Sequence, residues 1–176
     1  MYKIELRQGD LLLDTVANIM LNPSNTSLLL GSGVSMAFKR KFGIQLQQKM
    51  NLKKQSLCNI SLGDIVITKE ESNNPKYIYH AIVMNYTGIG SKYPTLKTIE
   101  MIIDNIKLQL NKLDLDAISI AIPFIGCGVG GLNIADVTKI YIEKFSESTT
   151  KDITIRLYGY SRDDCMVAYK ELNPTY

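Results

Sequence analysis

The 176-residue chain has a single histidine, His80, and only three cysteines, Cys58, Cys127 and Cys165, far apart and odd in number. It contains no CxxC pair and no Cys/His ligand spacing, so neither a zinc site nor a disulfide framework is expected, and reduced thiols are the simpler reading. Long hydrophobic runs are also missing: no stretch approaches a membrane span, and the opening MYKIELRQGD has no apolar leader-like segment. The expected setting is therefore the cytoplasm, with no membrane partner. Lys+Arg 20 against Asp+Glu 17 leaves a net charge of +3, too small a surplus to argue for a nucleic-acid or membrane surface. No Pro/Gly/Ser-rich linker, internal repeat or low-complexity tract divides the chain, so residues 1–176 read as one domain with one continuous core.

Short segments rich in β-branched or aromatic residues, bounded by Gly, Pro, Asn or Asp, predict strands at Lys3–Arg7, Asn18–Leu21, Asp64–Thr68, Tyr77–Asn85, Ala117–Pro123 and Ile153–Tyr158. Helical periodicity predicts helices at Val34–Phe42, Leu46–Leu52, Leu96–Leu113, Ile134–Phe145 and Arg162–Leu172. In the longest, Ile99, Ile102, Ile103, Ile106 and Leu110 recur at three- and four-residue steps and make an apolar stripe. Ile19–Leu21 and Ala117–Ile122 are apolar nearly throughout, as in strands covered on both faces. Such strands alternating with helices indicate a three-layer α/β/α domain with a mixed central sheet. Ligands collect outside the carboxyl ends of strands in such sheets, which directs attention to the segments after these two.

The first segment is a loop, Asn22-Pro23-Ser24-Asn25, leading to Gly31-Ser32-Gly33-Val34. Glycines just ahead of a helix let backbone approach a ligand, and the helix N-terminus favours phosphate. Asn22 and Asn25 offer donors and acceptors for sugar hydroxyls, although a plain turn with asparagine capping a helix explains the same residues equally well. The second segment, Gly126-Cys127-Gly128-Val129-Gly130-Gly131, has four glycines in six positions, more than a turn requires. It fits GxGxxG, but the next strand ends Leu157-Tyr158-Gly159-Tyr160 without the acidic residue of a dinucleotide-binding βαβ unit. Cys127 has no base near it in sequence and reads as a small residue of a phosphate loop. His80, mid-strand, reads as a hydrogen-bonded core residue. Lys39-Arg40-Lys41 reads as a solvated helix face.

Taken together, Gly9-Asp10-Leu11, Asn22-Pro23-Ser24-Asn25, Gly31-Ser32-Gly33-Val34, Tyr79-His80-Ala81 and Ile122-Pro123 through Gly131 make the chain resemble the macrodomain family from about Ile4 to Leu172. Its Phe38–Gly43 and Gly126–Gly128 stretches are most similar to the terminal ADP-ribose glycohydrolase and antitoxin branch. The resemblance implies a macrodomain that binds ADP-ribose, or an ADP-ribosylated macromolecule, without a cofactor or metal; nucleic acid would enter only as an ADP-ribosylated substrate. It implies that Asp10 accepts from the adenine amine beside Leu11, that Tyr158 stacks on adenine, and that Asn22 and Asn25 serve the distal ribose, with Asn25 at the reacting end. Gly31, Ser32, Gly33, Val34 and Ser35 would wrap one side of the diphosphate, and Gly126, Cys127, Gly128, Val129 and Gly130 the other. Three positions depart from catalytic members: Ser35 stands where many have an aspartate, Met84 where the glycohydrolase branch has a lysine, and Gly130 where that branch has an aspartate. The expectation is water-based hydrolysis of mono-ADP-ribosyl linkages or O-acetyl-ADP-ribose, with a non-catalytic ADP-ribose reader as the alternative.

Overall fold

The computed structural model describes residues 1–174. Six strands, Tyr2–Gln8 (β1), Ile19–Asn25 (β2), Ile65–Lys69 (β3), Tyr77–Met84 (β4), Ala117–Pro123 (β5) and Asp152–Gly159 (β6), form one sheet in the order β1-β6-β5-β2-β4-β3. Neighbours run parallel except β3, which lies antiparallel to β4 at one edge. The helices are Gly33–Ser56 (α1), Leu96–Lys112 (α2), Ile134–Ser146 (α3) and Arg162–Leu172 (α4), and one turn of 3-10 helix at Leu11–Leu13 follows β1. The result is the three-layer α/β/α architecture with a mixed sheet that the alternation of strands and helices predicts.

The two faces of the sheet bury different cores. The isoleucine stripe of α2 packs with Val137 and Tyr141 of α3 onto Leu21, Ile120, Ile122, Ile155 and Leu157. On the opposite face Phe38, Leu46 and Met50 of α1, with Leu11 and Leu12, cover Met20, Ile78, Ile82 and Ala121. Alternate residues of β2, β4 and β5 thus serve opposite layers, as strand geometry requires. Side chains fix where the helices begin. Thr95 with Thr98 and Ser161 with Asp164 form capping boxes for α2 and α4, and Asn133 caps α3. No helix among the described residues is long and apolar enough to cross a membrane.

The helices expected at Val34–Phe42 and Leu46–Leu52 are the two halves of α1, which breaks between them at Gly43, whose φ of 70° and ψ of −167° are not helical. The apolar positions on either side of the break still face the same core, so the periodicity reads through it. By contrast, Asn22-Pro23-Ser24-Asn25 is not a loop but the last four residues of β2, paired with β4 through Asn22↔His80, Pro23↔Ala81, Ser24↔Ile82 and, after a register shift, Asn25↔Met84. On its other side β2 pairs with β5 only at Ile19↔Ile120 and Met20↔Ala121. Beyond Met20 these two strands separate. A proline without an N–H is tolerated in a stretch of strand paired on one side.

The conformation of Gly43 is one that residues with a Cβ almost never adopt. Gly43→Ala is expected to lower stability by about 1–3 kcal/mol, read from chemical denaturation.

Candidate functional site

The separation of β2 from β5 opens a cleft of about 770 Å³, counted to its mouth, at the carboxyl ends of the strands. Its floor is Pro23–Asn25 of β2, Pro123 and Phe124 following β5, and Val83 and Met84 of β4, with Tyr86 at the β4 end. One wall is Ser32, Gly33, Val34 and Ser35 at the start of α1; the other is Gly126, Gly128, Val129 and Gly130. The two glycine-rich segments, nearly a hundred positions apart in sequence, therefore face one another across a single space. Among the described residues, no charged side chain lines it.

The first wall presents the N-terminus of α1. Its first helical bond runs from Met36 N–H to the Ser32 carbonyl (3.1 Å), so earlier N–H groups have no acceptor within the helix. Ser32 makes no side-chain cap and the first turn holds no acidic residue, so the positive end of the helix dipole is uncompensated. The turn that delivers the chain to this point is tied from both sides. Asn25 donates from Nδ2 to the Leu29 carbonyl (2.9 Å), and its Oδ1 accepts from Ser27 and Leu29 N–H at 3.1 and 3.3 Å. Gln47, farther along α1, accepts from Leu30 N–H (2.8 Å) and donates to the Leu28 carbonyl (2.9 Å). Leu28 sits at φ 52°, a conformation that these bonds hold in place.

The second wall is a backbone cradle. Gly131 and Leu132 N–H donate to the Gly128 and Gly126 carbonyls, both at 3.0 Å, and close the loop on itself. Tyr141 of α3 braces its root, donating its hydroxyl to the Pro123 carbonyl (2.9 Å) and accepting from Ile125 N–H (3.2 Å). The glycines have separate roles. A Cβ on Gly130 would stand 2.4 Å from the Gly126 carbonyl oxygen, so the loop itself forbids a side chain there. One on Gly128, which lines the cleft, would meet nothing within 4 Å.

Of the residues the sequence singles out, Asn25, Ser32, Gly33, Val34, Ser35, Gly126, Gly128, Val129 and Gly130 line the cleft, while Gly31 precedes the first wall without lining it. Asn22 is not at the surface of the cleft. It is buried beneath it, with Nδ2 3.0 Å from His80 Nδ1, because its position in β2 points it under α1. His80 also reaches Thr68 Oγ1 at 3.0 Å, and burial pushes its pKa down to about 3, so it is a neutral core residue. Cys127 turns from the cleft toward the Ile125 carbonyl; burial, then the charge of Asp164, pushes its thiol up to about 12. Neither group can act as a nucleophile or base at neutral pH. Leu11 lies in the core, and exposed Asp10 accepts from Leu12 N–H (2.9 Å).

Tyr158 stands outside the cleft wall but in register with Pro123, on the side away from β2. What holds it was not visible in the sequence. The buried carboxylate of Asp14 takes the Tyr158 hydroxyl (2.7 Å) and Arg156 on Oδ2, and Val16 and Ala17 N–H on Oδ1. Gln47, Val83 and Tyr86 belong to the site but lie outside the sequence motifs, whereas Ser24 and Phe124 lie within them without an assigned role. Their only signal is position, and it appears when the strand ends are assembled.

Residues 21–141 match the model of the Macro domain family. The chain is 28% identical to the ADP-ribose glycohydrolase of Bos taurus over 89% of its own length and 91% of that protein. It is 27% identical to an uncharacterized protein of Aeropyrum pernix over 70% of its own length, a match that spans 60% of that relative. The fold is also that of the Trypanosoma brucei macrodomain crystallised in complex with ADP, with a TM-score of 0.78 at 19% identity, covering 97% of this chain and 69% of the other.

The Asp14 cluster makes a pH prediction. Burial alone would raise its pKa, but bonds from Tyr158, Arg156 and the Ala17 and Val16 amides prevail and lower it to about 2. A carboxylate depressed in the folded state stabilises the fold fully above its unfolded pKa of ~3.9, and that contribution is lost as pH falls from there through about 2. Asp14→Asn keeps the Oδ1 acceptor but cannot accept from Arg156 and Tyr158. It is expected to lower stability at pH 7 by about 3 kcal/mol and to flatten the loss between pH 4 and pH 2 in denaturation curves.

Proposed function

Because the chain belongs to the Macro domain family, its residues 21–141 matching that model, we propose that the cleft between β2 and β5 binds ADP-ribose or a close derivative, free or attached to a macromolecule. The observation that carries this reading is the opposition of two backbone walls, an uncompensated helix N-terminus and a self-closed glycine loop, across one space with no charged side chain. Such walls suit a diphosphate: N–H groups supply the positive potential, and no lysine or arginine has to be desolvated to provide it. Tyr158, its hydroxyl fixed by Asp14, would flank the base, with exposed Asp10 nearby as an acceptor for an exocyclic amine. The diphosphate would lie between residues 32–35 and 126–130, leaving the second sugar at the ends of β2 and β4.

Hydrolysis of an ADP-ribosyl linkage or of O-acetyl-ADP-ribose is the second reading, favoured by the likeness to the ADP-ribose glycohydrolase of Bos taurus. In this chain it would be water-based, because Ser35, Met84 and Gly130 offer no carboxylate or amine to the cleft. Asn25 would act there chiefly through the turn its amide holds, and the backbone walls would stabilise the phosphates as the linkage breaks.

Gly128→Val adds bulk to the cleft lining at a position where its side chain meets no protein atom within 4 Å as far as Cβ. Calorimetry is expected to show saturable ADP-ribose binding by the wild type and at least a tenfold loss in Gly128→Val, with stability changed by no more than ~0.5 kcal/mol. No binding by the wild type would remove the proposal. Release of ADP-ribose from modified substrates, measured against Gly128→Val as the binding-deficient control, separates the two readings.

A further inference from the structure

The net charge of +3 conceals a separation of charge along the chain. Residues 15–63 contain six of the 20 cations, Lys39, Arg40, Lys41, Lys49, Lys53 and Lys54, and none of the 17 acids, so this segment carries +6 and the rest of the chain −3. All six cations lie on α1, the helix that covers one face of the sheet. Lys49 pairs with Glu70 at 2.8 Å; among the described residues the other five have no acidic partner. Local structure accounts for some of them. Lys41 donates to the Leu12 carbonyl and Lys54 to the Ser27 carbonyl (3.2 Å). Lys53 and Lys54 stand in the last turn of α1, where cations offset the helix dipole. Neither reason extends to Lys39 and Arg40, which are exposed in the first half of the helix.

A further cation joins them at the sheet edge. Lys69 of β3 is exposed and lines one groove with Lys49, Lys53 and Ser56. Among the described residues no acidic side chain lines that groove, so like charges gather there at a cost that an outside anion relieves. The arrangement narrows the partner. From Lys39 to Lys53 the helix runs about 20 Å, a length that suits a charged polymer better than a single small anion. Exposed Gln45, Gln48 and Asn51 add neutral donors between the charges. Phe38, Leu46 and Met50, the apolar side of α1, are buried in the core, so no amphipathic face remains for a lipid surface. No exposed position of α1 carries an aromatic ring on which unpaired bases could stack. A duplex fits instead, presenting one phosphate per about 3.4 Å of each strand.

We propose that the outer face of α1, extended by Lys69 of the edge strand, is a docking surface for the phosphate backbone of double-stranded nucleic acid, engaged without regard to base sequence. None of these cations lines the cleft, so the docking does not depend on what the cleft binds.

Fluorescence anisotropy with a labelled mixed-sequence duplex of about 20 base pairs, carrying no ADP-ribose, tests it, with thermal unfolding as the control for folding. The wild type is expected to bind, its log K falling against log salt concentration with a slope of about −3, as for three to four phosphates. Lys39→Glu/Arg40→Glu and Lys53→Glu/Lys69→Glu should each lose about tenfold or more at about 50 mM salt. Lys112→Glu/Lys170→Glu, which changes the net charge equally on α2 and α4, should stay within about twofold. Should charge reversal destabilise α1, the neutral Lys39→Gln/Arg40→Gln carries the comparison, with an expected loss of about fivefold. No duplex binding by the wild type at about 50 mM salt, or equal losses in all three charge-reversed variants, would overturn the inference. Displacement of the duplex by polyglutamate at matched charge would assign the face to acidic polypeptide and overturn it as well.

Discussion

The site depends on where two strands stop pairing. β2 and β5 hold one another through Ile19 and Met20 and then part, while β2 continues alongside β4 as far as Asn25. The sheet is therefore continuous at its buried middle and forked at its carboxyl end. Both glycine-rich segments leave from the two prongs of that fork, which is why they face each other at all. A proline in the free stretch of β2, and a second at the end of β5, sit where a full ladder would demand an N–H.

Around this fork the protein uses main chain where many binding sites use charged side chains. The helix start supplies donors, the second loop supplies a surface that side chains would block, and the tying bonds come from amides and hydroxyls held behind the walls. Asn25 and Gln47 secure one wall and Tyr141 the other. Buried Asp14 and partly buried Arg156 stand behind Tyr158 and form an ion pair there.

Nearly all of the fold was legible in the sequence, since its signal is periodic: six strands and the helix faces follow from spacing and from Gly, Pro and Asn at their ends. The break within α1 falls at Gly43, between the two helical stretches that the sequence suggests. One thing escaped. Asn22–Asn25 looked like a loop because its polar residues and proline have loop chemistry, whereas its strand character comes from pairing with β4, a tertiary fact. The backbone cradles were legible because glycine is a local signal. Which glycine has open space around it was not, for Gly128 and Gly130 differ only in what surrounds them. Nor could sequence reveal that Asn22 points under α1, that Asn25 holds its own turn, or that Asp14 reaches Tyr158 across 144 positions. Those relations exist only once the strands are side by side.

The interruption of α1 divides labour along one helix. The residues before Gly43 aim the helix start at the cleft, and Gln47, after it, clasps Leu28 and Leu30. The turn and the helix end it feeds are thus moored to separate segments joined at a bend. Sequence drift on the far segment would re-seat the turn while leaving the amides of the helix start where they are, so the two borders of the same wall are free to evolve independently.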